Sequence, residues 1–124
     1  MTHSDSIDKV PASAPDCHPA DHTTRESTPL SDAAFVAAVK LFKALSDEQR
    51  LRTLELLARG EACVSEIAAS FDEPLSTVSH RMKLLESVGL VTRRRGGRHV
   101  YYGLADEHVV HLVSDALEHV TETR

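Results

Sequence analysis

With 124 residues, 41% of them hydrophobic and 27% charged, the chain has the apolar content of one small domain with a core and too little length for two. Its formal net charge of −5 excludes attraction of nucleic acid by bulk electrostatics, so any such contact must come from a local basic patch. Two cysteines, Cys17 and Cys63, and no apolar run long enough for a signal peptide or a membrane span predict a cytoplasmic chain with free thiols and no membrane partner.

The composition changes near residue 30. Residues 1–29 hold Pro11, Pro15, Pro19 and Pro29 among Ser, Thr, Asp and His, with almost no large apolar side chains to offset the entropy of ordering. This predicts residues 1–30 as a flexible tail and 31–124 as one folded unit. In "SDAAFVAAVKLFKAL" the helical spacing of Phe35, Val39 and Phe42 predicts a first helix. "SDEQRLRTLELLARG" predicts a second, with Ser46 and Gln49 as a capping box and Gly60 as the stop. "CVSEIAASF" predicts a short third helix and "DEP" a turn. Pro74 suits the first position of a fourth helix, "LSTVSHRMKLLESVGL", ended by Gly89. Two short helices across a tight turn suggest helix-turn-helix. "LVTRRRGGRHVYYGL" then places β-rich runs on either side of Gly96-Gly97, a hairpin signature. The fold class expected is mainly α with a small β-hairpin (α+β), a winged helix-turn-helix.

Charge placement gives this unit a purpose. Residues 76–102 carry six lysines and arginines against the single acid Glu86, leaving eight bases and eighteen acids elsewhere. On the fourth helix, at about 100° per residue, Leu75, Val78, Met82 and Leu85 form one stripe expected to face the core. Ser76, Ser79, His80 and Lys83 then lie opposite, where they can reach a major groove. The DNA-contacting set expected is Ser76, Thr77, Ser79, His80, Arg81 and Lys83 on the helix, with Arg94, Arg95, Arg98 and His99 on the wing. The plainer alternative is a solvated helix face and a charged surface hairpin.

The last helix, "DEHVVHLVSDALEHVTETR", sets histidines and carboxylates beside an apolar stripe. His108 and His119 share a face, yet eleven residues at about 1.5 Å rise hold them roughly 16 Å apart, whereas zinc ligands sit about 2 Å from the ion. One helix cannot close such a site. Two copies packed antiparallel can, if Asp106 and His108 of one meet His119 and Glu122 of the other, with Val109, Leu112, Val113, Ala116, Leu117 and Val120 forming the adjoining interface. The alternative is a solvated surface, with Asp106 and Glu107 favouring the helix N-terminus. His111 and Glu118 are read as surface.

The run "LFKALSDEQRLRTLELLARGEACVSEIAASF", continued by "STVSHRMKLLESVGLVTRRRGGRHVYYGL" and "DEHVVHLVSDALEHVTE", closely resembles the ArsR/SmtB family of metal-sensing winged-helix repressors over roughly residues 31–123. The resemblance implies a homodimer through the N- and C-terminal helices, with Asp106, His108, His119 and Glu122 as intersubunit zinc ligands. It implies a metal-free dimer on double-stranded operator DNA, whose affinity zinc lowers, derepressing a metal efflux or sequestration gene. A second family site lies at the start of the third helix. There "CVSEI" offers Cys63 and Glu66, with Ser65 in place of a second cysteine, and the tail offers Cys17, His18 and His22. Zn(II) is the expected regulatory ligand, with Cd(II), Co(II) and Cu(I) as alternatives. The family pattern also departs at "DEPLS", where Pro74 and Leu75 replace a polar helix cap.

A competing reading makes the chain a winged-helix repressor that answers cadmium, copper or a redox signal through Cys17 and Cys63, its C-terminal helix only dimerising. An enzyme is not expected, nor an organic substrate. The sequence contains no HExxH, nucleophile elbow or GxGxxG, and four protein ligands would leave the metal no open position for water.

Overall fold

The computed structural model describes residues 28–122, so the tail positions Cys17, His18 and His22 lie outside the described residues. Five helices and three strands follow in the order α1 (Asp32–Leu45), α2 (Glu48–Ala58), β1 (Ala62–Cys63), α3 (Val64–Phe71), α4 (Leu75–Ser87), β2 (Val91–Gly96), β3 (His99–Leu104) and α5 (Glu107–Glu122). The winged helix-turn-helix expected from the pattern is therefore present. No helix among the described residues is long and apolar enough to cross a membrane.

Local chemistry sets the helix ends. The Ser31 side chain accepts the Ala34 N–H at 3.1 Å and starts α1. The cap of α2 is Asp47, which accepts the Arg50 N–H at 2.9 Å, and not the expected Ser46–Gln49 box. Ser46 instead donates its hydroxyl back to the Phe42 carbonyl at 2.8 Å and finishes α1. Pro74 sits one position earlier than expected, as the N-cap of α4, where it supplies no side-chain acceptor. At the other end of α4 the Leu90 N–H reaches the Leu85 carbonyl and the Gly89 N–H reaches that of Glu86, with Gly89 at φ 83°. That is a Schellman motif, and its left-handed residue is the reason for glycine.

The expected start of α3 also shifts. Ala62 and Cys63 form a two-residue strand that pairs with Tyr102 and Tyr101, giving an antiparallel sheet of order β1-β3-β2. Cys63 thus becomes the N-cap of α3, and the Glu66 carboxylate accepts its N–H at 2.8 Å. In the wing, Gly96 pairs with His99, so the loop is Gly97-Arg98, one residue later than the glycine pair suggested. Gly97, at φ 64°, occupies the first loop position, where two-residue hairpins favour glycine.

The core gathers Leu54 of α2, Ile67 of α3, Val78, Met82 and Leu85 of α4, Leu90 just after it, Val91 of β2 and Val113 of α5, each essentially without solvent exposure. Truncating any of the large ones to alanine would cost about 2–5 kcal/mol. Val109 and Val113 belong to this core, so of the α5 residues expected at an interface only Leu112, Ala116, Leu117 and Val120 stay partly or wholly exposed. The α1 stripe is also uncovered, with Phe35 58% and Phe42 56% exposed beside Val36 and Val39.

One buried ion pair crosses the core. Arg81 of α4, 8% exposed, donates to Glu73 in the turn at 2.6 Å and to the Thr53 hydroxyl of α2 at 3.2 Å. The second Glu73 oxygen is buried without a partner among the described residues. Hydrogen bonding to Arg81 holds the Glu73 carboxyl below its usual value near 4.5. A depressed folded-state pKa gives stability that is present above the unfolded value and lost as pH falls through the folded one. Urea titrations should therefore show stability falling below pH 4.5. The variant Glu73→Gln should be less stable by about 2 kcal/mol at pH 7, from loss of a charged hydrogen bond, and should converge with the parent in acid.

Candidate metal centre and nucleic-acid interface

The buried stripe of α4 fixes which side chains face out. Val78, Met82 and Leu85 are fully buried, and Ser76, Thr77, His80 and Lys83 are exposed, with Ser79 half-buried. Two residues depart from the expected division. Leu75, assigned to the core stripe, is 57% exposed at the first position of the helix. Arg81, assigned to the DNA-contacting set, is committed to Glu73 and Thr53 inside the protein and is not presented on the outer face.

The wing carries its bases in two conditions. Arg94 is held by Glu61, with nitrogen–oxygen distances of 2.7 and 3.0 Å, and its guanidinium lies 5.0 Å from the centre of the Tyr101 ring. The Glu61 hydrogen bond and charge raise the Arg94 pKa further, so this side chain is a fixed cation. Arg93 pairs with Glu86 at 3.2 Å. Arg95, Arg98 and Lys83 are exposed and have no acidic partner among the described residues. His99 is exposed beside Tyr101, their ring centres 6.0 Å apart. Between α4 and the wing runs an open cleft of about 440 Å³, bordered by Cys63, Leu75, Ser76, Ser79, Arg98 and His99. Glu61 escaped the sequence reading because only the β1–β3 pairing, invisible to periodicity, brings it to the wing.

The two halves of the expected zinc set lie at opposite ends of α5. Asp106 caps the helix, accepting the Val109 N–H at 3.1 Å through Oδ1. The His108 side chain, 97% exposed, places Nδ1 3.6 Å from the same oxygen. His119 and Glu122 are exposed on the last turns. Among the described residues no three His, Cys, Asp or Glu side chains of one chain converge on a common point. The donors themselves fit zinc or a similar ion: imidazole and carboxylate are both zinc ligands, and the four stand clear of the protein's own core. His111 sits 3.8 Å from Glu107 in an exposed i,i+4 pair, as expected of a surface residue.

At the second family site the described half is Cys63 and Glu66. Cys63 is 8% exposed, and its sulfur lies 3.2 Å from the Ser65 hydroxyl. The Glu66 carboxyl is held below its usual pKa by the Cys63 N–H and then by the Cys63 thiol. One Glu66 oxygen is thus occupied in capping α3.

Residues 47–93 match the family model described as bacterial regulatory protein, arsR family. A transcriptional repressor SmtB homolog of Synechocystis sp. is 45% identical over 84 residues, covering 68% of this chain. The chain spans 64% of that relative's own length. A cadmium resistance transcriptional regulatory protein CadC homolog of Staphylococcus aureus is 37% identical over 103 residues, 82% of this chain and 85% of that one. Among solved structures, the homodimeric winged helix-turn-helix DNA-binding domain of a possible ArsR-family regulator from Mycobacterium bovis superposes with a TM-score of 0.71. It is 35% identical and covers 78% of this chain and 93% of that one.

Proposed function

The chain belongs to the arsR family of bacterial regulatory proteins, and on that premise we propose that it is a homodimeric, metal-responsive transcriptional repressor. The metal-free dimer binds operator DNA through α4 and the wing. Zn(II) binding between Asp106 and His108 of one subunit and His119 and Glu122 of the other lowers that affinity and derepresses a gene of metal efflux or sequestration. The observation that carries the reading is the separation of an exposed donor set into two halves at the ends of one helix, with uncovered apolar side chains beside it. Alone, each half holds a metal poorly; a second copy running the other way completes two equivalent sites. The relatives named for transcriptional repression and cadmium resistance support a metal as the signal.

The regulation is thermodynamic linkage. Metal that binds the closed, cross-helix arrangement more tightly than the DNA-bound one must weaken DNA binding by the same factor, and coupling of about 1–3 kcal/mol corresponds to roughly 5–150-fold. On the DNA side, Arg95, Arg98 and Lys83 neutralise phosphates, while Ser76, Thr77, Ser79 and His80 approach base edges.

Fluorescence anisotropy of the protein on its own upstream DNA tests this. His119→Ala should bind the duplex as the parent does and no longer release it on zinc addition; release at the parental zinc concentration would refute the metal site. Cys63→Ser should leave the zinc response unchanged, whereas loss of the response in this variant would favour the cysteine-centred reading. Because Glu61 competes with phosphate for Arg94, Glu61→Gln should tighten DNA binding several-fold and steepen the dependence on log salt by about one unit. Introducing a charge on the α1 stripe with Phe42→Glu should shift the sedimentation mass from dimer to monomer, as expected when an apolar interface is broken.

A further inference from the structure

On α4 the large apolar residues divide unequally. Val78, Met82 and Leu85 are wholly buried, and Leu84 lies near the margin of exposure, but Leu75 leaves more than half of its surface in water. Its position explains why. At about 100° per residue Leu75 lies roughly 50° from the centre of the buried stripe, on the flank that leads through Ser79 to Ser76 and Lys83. It is also the first residue of the helix, beyond the reach of the core beneath the second and third turns. Its neighbours along the cleft are Ser76, Ser79, Arg98, His99 and Val100.

An exposed leucine among hydroxyls and cations invites a partner that is apolar at one point and anionic around it. Duplex DNA meets that description. The N-terminal residues of a helix-turn-helix recognition helix are those that approach base edges. In the major groove the one aliphatic feature of any base is the C5-methyl group of thymine. Arg98 and Lys83, without acidic partners among the described residues, supply the charge that would hold phosphates on either side. We propose that Leu75 is a specificity-determining residue that reads thymine in the operator through its methyl group. The proposal rests on the DNA-binding reading above and adds to it a base preference that hydroxyl contacts alone do not supply, since serine bonds to several bases.

The test uses the full-length protein and a duplex it selects from a randomised pool, with each thymine of that duplex then replaced singly by deoxyuridine, which lacks only the methyl. Losing one buried methyl should weaken binding about four-fold per half-site, and about fifteen-fold when both half-sites of a dimer are substituted. Leu75→Ala should bind the thymine and uracil duplexes equally, Leu75→Met should keep the discrimination, and both should melt like the parent. The slope against log salt should not change, because no phosphate contact is removed. Indifference of the parent to uracil at every position overturns the proposal, as does an undiminished uracil penalty in Leu75→Ala. A uniform loss of affinity on both duplexes in Leu75→Ala also overturns it, making Leu75 a support or the seat of another segment. Failure of the parent to select any duplex would instead bring down the DNA-binding reading with it.

Discussion

The rotation of α4 about its own axis is set by three side chains. Val78, Met82 and Leu85 are driven out of water against Ile67 and the α2 core, and each carries roughly 1.5–3 kcal/mol of burial. Any turn of the helix that exposed one of them would cost more than its polar face could return. The opposite face is therefore committed to solvent or to a ligand. Arg81 reinforces the setting from the flank: a buried guanidinium is tolerable only while Glu73 and Thr53 remain in reach, which ties α4 to α2 and to the turn at one point. Hydrophobic burial sets the angle, and the ion pair narrows it.

The same division of labour runs along α5. Its inward side, Val109 and Val113, is spent on the protomer's own core. Its outward side carries unburied donors and apolar surface that the protomer does not cover. The donors are too far apart to serve one ion within a chain, because a straight helix does not bend its ends together. In the proposed assembly, symmetry accomplishes what the single helix cannot, and the sensing event becomes inseparable from the arrangement of the two subunits.

Most of this was legible in the residues because it is local. Helical spacing, Gly89, and the glycine-bearing run between β-rich segments each act within a few residues of themselves, and they placed all five helices and the wing. What escaped depends on contacts distant in sequence. The strand Ala62–Cys63 is too short to show a period and exists because Tyr101 and Tyr102 pair with it. Arg81 sits in the basic segment 76–102 and carries no sign in the sequence of an inward partner; only the turn geometry brings Glu73 beneath it. Leu75 lies at the edge of an apolar stripe, where helical spacing points inward but a small angular offset and a terminal position decide the outcome. For Ser46 and Asp47, both able to cap, the choice fell to Asp47. There Arg50 also donates to the Ala44 carbonyl at 2.7 Å and closes the link between the first two helices.

The two-residue strand has a mechanical consequence. By pairing with β3 it fastens the wing to the chain segment that becomes α3, and Glu61, just before it, clasps Arg94 on β2, one strand beyond. The hairpin is thereby not a tether swinging on its own stalk but a lever welded to the body of the domain. A tilt of the whole protomer therefore carries the Gly97-Arg98 tip with it, over a distance set by the length of the arm.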